Sequence, residues 1–172
     1  MRLILAVLLL ALIAPTRVQA LTTEEARVCA NELLSAYNER RFPEKFLAIE
    51  SITRRAFGQD FRTLTDAERA LAIKAATNVL KASFESPSGE YRYRDLTVNT
   101  VEVTKEGNFR IIGTAHITSP QFTGMGEFKA LTNGKCQIYQ VRIEEVATLD
   151  GELRKKLMTD PVARPLIEKS DN

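Results

Sequence analysis

A chain of 172 residues with 24 lysines and arginines against 22 aspartates and glutamates is close to neutral, and its charges of both signs are interspersed. Such a chain has no broad electrostatic footprint for a phosphate backbone, so nucleic acid is not an expected partner. The length suits one domain able to bury a sizeable core without a framework of several disulfides.

At the start, Arg2, an apolar run from Leu3 to Ala14 and the ending Val18-Gln19-Ala20 read as a cleaved secretory signal peptide over residues 1–20, cut before Leu21. The run is short of the ~20 residues needed to span a bilayer. Pro15 and Arg17 also interrupt it. The first cysteine after the cut is Cys29, which argues against a lipid anchor, so residues 21–172 are expected to form one soluble exported domain. Losing Arg2 and Arg17 leaves 22 basic residues against 22 acidic ones. Two cysteines in an exported chain suggest one bond, Cys29 to Cys136, with two buried free thiols as the alternative.

Thr22 and Glu25 form a capping-box pattern that opens a helix to Glu39, with Ala26, Ala30, Leu33, Leu34 and Tyr37 on its apolar face. Cys29 sits at the edge of that face. Pro43 precedes a second helical stretch, Glu44 to Phe57, whose Phe46, Ile49, Ile52, Ala56 and Phe57 suit one side, and Gly58 is placed to end it. Thr65 and Glu68 make a second capping box before a long helix to Phe84 with no internal glycine or proline. Its expected buried stripe is Ala67, Leu71, Ala75, Leu80 and Phe84, with Arg69, Lys74 and Lys81 in solvent.

Ser86-Pro87-Ser88-Gly89 marks a turn, after which the apolar period changes from 3.6 to 2. The remainder reads as an antiparallel meander with strands near 91–104, 108–118, 122–131 and 135–147, turned at Gly107-Asn108, Ser119-Pro120 and Asn133-Gly134. The last strand changes phase between Ile138 and Val141, which a bulge or bend would repair. Gly113, Ala115, Gly124 and Gly126 would leave shallow ground across which a ligand could lie; a strongly bent sheet packed directly by helices uses glycine equally well. A last helix from about Leu149 to Met158 precedes Pro161, Pro165 and a polar tail. The expected fold is α+β, with N-terminal helices packed on a curved, mostly antiparallel four-stranded sheet and a short C-terminal helix.

Chemistry is sparse. The single histidine, His116, lies on the strand face opposite Ile117, and neither cysteine has metal-site spacing, so no metal and no cofactor is expected. Phosphate-cradling glycine loops and nucleophile elbows are absent from the sequence. Glu144 and Glu145 point to opposite faces of a strand and cannot serve one bond together. Arg54-Arg55 and Arg154-Lys155-Lys156 read as solvated clusters, able to touch anionic headgroups or an acidic partner.

The stretch from Ala56 to Arg69, with Phe57-Gly58, Phe61 and Thr65-Asp66-Ala67-Glu68-Arg69, resembles the signature of the MlaC family of periplasmic phospholipid-carrying proteins, also called toluene-tolerance or ABC-transporter auxiliary components. The segment Gly134 to Val146 is similar to that family's closing strand, and Pro165-Leu166-Ile167-Glu168 to its C-terminal element. The chain departs from the pattern at Cys136, where the family has tryptophan, and at Tyr139-Gln140 and Glu145-Val146-Ala147. The resemblance implies a cone-shaped, non-enzymatic carrier, monomeric, that transports phospholipid or other lipid between membrane-embedded transport complexes. It also implies a cavity between helices and sheet, for which the apolar faces offer Leu34, Tyr37, Phe46, Ile52, Phe57, Leu80, Phe84, Ile111, Phe122, Phe128 and Ile138 as lining. Two other readings stay open: a periplasmic enzyme or small-ligand binder on a related fold, for which His116, Glu127 and Asp95 are the available polar set, and a plain interaction module with a closed core.

Overall fold

A computed structural model describes residues 22–85, 92–104, 106–118, 123–143 and 147–169. The expected signal peptide, the turn signals at Ser86-Pro87-Ser88-Gly89 and Ser119-Pro120, Phe122 and the pair Glu144-Glu145 lie outside the described residues.

Both capping boxes form. Helix α1, Thr23–Asn38, begins where Thr22 donates its amide to Glu25 Oε2 at 2.7 Å and Thr22 Oγ1 accepts from the Glu25 amide at 3.2 Å. Those contacts satisfy amides that the first helical turn leaves without intrahelical partners. The helix ends in a Schellman motif: Arg40, at φ 56°, lets its own amide reach Tyr37 O at 3.0 Å and the Arg41 amide reach Ala36 O at 2.8 Å.

The stretch expected as one helix from Glu44 to Phe57 is broken. A 3-10 turn covers Glu44–Phe46, Leu47 forms a parallel bridge to Ile138, and the Ala48 amide donates to Ile138 O at 2.9 Å; only then does α2, Ile49–Phe57, begin. A backbone bond to the sheet replaces one turn of helix, an exchange that local periodicity cannot show. Gly58, at φ 67°, ends α2 as expected, its amide reaching Arg54 O at 3.0 Å.

After a short turn of helix, α3, Asp60–Thr63, the long helix α4 spans Asp66–Glu85. Its buried stripe is Ala72, Ala75, Ala76 and Leu80. Ala67 and Leu71, both expected inside, are exposed. Two polar anchors set the rotation: Arg69 donates to Phe61 O at 3.3 Å and Arg62 O at 3.1 Å, and Glu68 accepts from Lys169 Nζ at 2.6 Å. Arg69, expected to lie free in solvent, thus closes the carbonyl end of α3.

The sheet is a meander in the order β1-β2-β3-β4-β5, every neighbour antiparallel: Arg92–Val103, Phe109–Thr118, Thr123–Thr132, Ile138–Ile143 and the two-residue Ala147–Thr148. The phase change read in the last strand is a register shift between β3 and β4, which leaves Tyr139 as the extra residue between Ile138 and Gln140. Two further irregularities, at Arg94/Thr97 and Val98/Thr100, bend β1. The β1–β2 and β3–β4 hairpins share one geometry. In each, the residue before the second strand pair takes positive φ, Gly107 at 74° and Cys136 at 62°, and its amide closes the turn on Thr104 O at 3.1 Å or Asn133 O at 3.0 Å.

Cys136 is bonded to Cys29 across 107 residues with Cα atoms 6.2 Å apart, which ties α1 to the β3–β4 hairpin. Such a bond fits an oxidising, extracytoplasmic compartment. Among the described residues no helix is long and apolar enough to cross a membrane.

Helix α5, Leu149–Leu157, packs against α2, α4 and β4. Arg154 is not a solvated cation here: its guanidinium donates to Ala56 O at 2.9 Å and Phe57 O at 3.1 Å, closing the C-terminus of α2. The expected polar tail contains a further helix, α6, Ala163–Glu168, with Ala163 and Ile167 fully buried. Asp160 Oδ1 starts it by accepting from the Val162 and Ala163 amides, each at 2.9 Å. Pro165 lies in the first turn, where its missing amide costs no helical bond. The fold is therefore α+β: N-terminal helices, an antiparallel sheet and short C-terminal helices.

Glu68 links the start of α4 to the end of α6, and the Lys169 ammonium, with the Thr65 amide and hydroxyl, holds its carboxyl down from the ordinary 4.5 to about 2. A depressed folded pKa gives stability that is full above the ordinary value and fades as pH falls toward the folded one. Urea midpoints should accordingly decline between pH 4.5 and about 2. Glu68→Gln should flatten that decline; an unchanged acid slope in the variant would show that other carboxylates set it.

Candidate functional site

A cavity of about 260 Å³, partly open to solvent, lies between the helices and the inner face of the sheet. One wall is α1, through Ala30, Leu33, Leu34 and Tyr37, with Leu47 beside it. The long helix α4 adds Val79, Leu80, Ser83 and Phe84. The floor is sheet: Leu96 and Val98 of β1, Ile111 and Ala115 of β2, Phe128 and Ala130 of β3, and Ile138, Val141 and Ile143 of β4. Thr148 and the α5 residues Leu149, Glu152, Leu153 and Lys156 complete it.

The antiparallel register explains the floor. Ile111 faces Ala130, Gly113 faces Phe128 and Ala115 faces Gly126, so one face of two strands presents alternating bulk and space to the helices. Leu96 and Val98 join this face through the irregularities on either side of them, one between Arg94 and Thr97, where Asp95 takes φ 52°, and one between Val98 and Thr100.

Seven of the eleven residues expected to line a cavity do so: Leu34, Tyr37, Leu80, Phe84, Ile111, Phe128 and Ile138. Phe46, Ile52 and Phe57 are not in the lining. Ile52 and Phe57 are wholly buried, the latter edge-on to Phe61 at 6.1 Å, and Phe46 is buried beneath the Lys45 ammonium at 4.4 Å. Helix α2 turns its apolar face onto α4 and α5, so Ile52 and Phe57 fill a packed core. Phe122 lies outside the described residues. Sequence reading passed over Leu47, Val79, Leu96, Val98, Val141, Ile143, Leu149 and Leu153.

At one end, the Phe84 ring stands edge-on to Tyr37 at 5.4 Å and to Phe42 at 5.7 Å. Burial pushes the Tyr37 phenol above its ordinary pKa, so it stays a neutral donor. The charged lining residues are Glu152 and Lys156. Glu152 accepts from Lys155 Nζ at 2.8 Å, and Lys156 donates to Ser83 Oγ at 2.8 Å.

The polar set His116, Glu127 and Asp95 lies elsewhere. His116 pairs with Met125 and Arg94, and Glu127 pairs with Thr114 while its carboxylate meets Lys129 at 2.8 Å. Both sit on the sheet face turned away from the cavity, and Asp95 is exposed in the irregular part of β1. Among the described residues, no group of three or more His, Cys, Asp or Glu is placed to hold a metal ion.

Gly113 does not provide open ground. A Cβ there would collide with the Thr97 carbonyl oxygen and with the Phe128 ring, so the glycine allows Phe128 to lie over β2 and β1 to approach closely. Gly113→Ala should destabilise the fold by ~2 to 3 kcal/mol, because the clash is with backbone as well as with a ring wedged in the core. Chemical denaturation would register it, and a loss well under ~1 kcal/mol would mean that β1 shifts freely at its irregularity.

No protein-family model and no curated protein matches the chain. The functional reading therefore rests on the cavity and on the sequence motifs.

Proposed function

We propose that this chain is a non-enzymatic carrier that buries a lipid acyl chain in the cavity between α1, α4, α5 and the sheet. In this reading it is a monomer that works in the periplasm and passes lipid, phospholipid-derived or other, between membrane-embedded transport complexes. The observation that carries the reading is the cavity itself: about 260 Å³ walled almost wholly by aliphatic and aromatic carbon. An enclosed polar substrate would find few partners there, because polar groups buried without hydrogen bonds are costly. An acyl chain gains ~0.8 kcal/mol for each methylene taken out of water, so ten methylenes contribute on the order of 8 kcal/mol before ordering costs.

Two further features support it. The resemblance of residues 56–69 and 134–146 to the MlaC family implies the same activity, and the disulfide and the signal-peptide pattern agree with export. The test is native mass spectrometry of the protein purified from an oxidising compartment. Co-purified lipid, or lipid acquired on incubation with vesicles of total membrane lipid that include single-chain species, is the expected result. A chain that remains lipid-free in both experiments sinks the proposal.

A further inference from the structure

We infer that the cargo is an amphiphile with one acyl chain and one anionic headgroup, its chain in the cavity and its headgroup held at Lys156. This rests on the carrier reading and narrows it to a substrate class. The first argument is volume. A cavity of ~150 Å³ takes a six-carbon benzene, or roughly 25 Å³ per carbon, so this one takes about ten carbons. Two membrane-length chains of about fifteen carbons each would need on the order of 750 Å³ on the same scale. The cavity holds about 260 Å³, so it encloses most of one chain, with the remainder lying in the opening.

The second argument is charge at the lining. Glu152 and Lys156 stand one turn apart on α5, on the face that borders the cavity. The Glu152 carboxylate is matched by Lys155 at 2.8 Å. Lys156 has no ion pair among the described residues; its ammonium donates to Ser83 Oγ, and the Ser83 hydroxyl in turn donates to Val79 O at 2.7 Å. The serine therefore positions the ammonium across α4 and α5 while leaving two of its three donors for a ligand. With Glu152 matched, the group presents a net positive charge beside an apolar cavity, which suits a fatty-acid carboxylate or the phosphate of a lysophospholipid.

The experiment is titration of the disulfide-bonded mature chain with four probes: a long-chain fatty acid, a lysophosphatidylglycerol, the fatty alcohol of equal chain length, and vesicles of diacyl phosphatidylglycerol. We expect one molecule of either single-chain anion per protein, whichever of the two binds tighter identifying the headgroup, and no comparable uptake of the diacyl lipid. Lys156→Gln should weaken both anions about fivefold and leave the alcohol within twofold. Diacyl lipid bound one-to-one as tightly as its lyso form overturns the single-chain assignment while the carrier reading stands. Equal losses for anions and alcohol in the variant overturn the role of Lys156. Failure of all four probes to bind overturns both readings together.

Discussion

Removing the Cys29–Cys136 bond should lower the free energy of unfolding by ~4 to 5 kcal/mol and the melting temperature by roughly 10 to 15 °C. The bond closes a loop of 107 residues, so most of its effect is a restriction of the unfolded chain. A Cα separation of 6.2 Å falls within the usual range for bridged cysteines. The comparison that isolates its contribution is Cys29→Ser with Cys136→Ser against the oxidised protein in urea. A second comparison uses the backbone. Cys136 holds the left-handed position that glycine holds in the sister hairpin at Gly107. Pairing Cys29→Ser with Cys136→Gly should therefore recover about 1 kcal/mol relative to the double serine variant. If reduction or the double serine variant leaves the urea midpoint unchanged, the pairing of α1 with the hairpin is not a stabilising element. The bond also bears on the site: α1 supplies Ala30, Leu33, Leu34 and Tyr37 to one wall, and the bridged hairpin leads into β4, which supplies Ile138, Val141 and Ile143 to the floor. If the chain is the lipid carrier proposed above, loss of the bond should weaken lipid retention as well as stability.

Local chemistry made much of this fold legible. Thr22 with Glu25 and Thr65 with Glu68 lie three residues apart, and each pair acts on amides of its own first turn, so the helix starts needed no tertiary knowledge. The phase slip between Ile138 and Val141 became a bulge because side chains alternate strictly along a strand. What escaped was decided between elements. Helix α4 is rich in alanine, so several faces looked equally apolar, and the bonds of Arg69 to α3 and of Glu68 to Lys169 selected Ala72 and Ala76 over Ala67 and Leu71. Leu47 left its helix for Ile138, and Asp160 turned a polar tail into α6. The site was legible in part for the same reason. Leu80 and Ile52 are alike in sequence, yet one borders the cavity and the other is sealed between α2, α4 and α5. Periodicity reports that a face is apolar and says nothing of what covers it.

That distinction between lined and filled space gives the largest functional effect. Ala115 and Ala130 lie on adjacent strands, each almost fully buried, and both border the cavity. Replacing both with leucine adds six carbons to the floor, on the order of 150 Å³ at the packing scale of a small apolar cavity. Little more than room for four carbons would remain of the 260 Å³. A chain losing six buried methylenes loses ~5 kcal/mol of transfer free energy, so affinity for a single-chain lipid should fall by at least about a hundredfold even after some relaxation. Each alanine is 2% exposed, so part of each leucine presses on packed neighbours and stability should fall by ~1 to 3 kcal/mol, well short of unfolding the chain. Ile52→Val is the matching control: it removes one methyl from the filled core, should cost about 1 kcal/mol, and should leave lipid affinity unchanged. Titration with a fatty acid and urea denaturation of the same preparations separate the two behaviours. A double variant that folds normally and binds lipid as tightly as the parent protein would place the acyl chain outside this cavity.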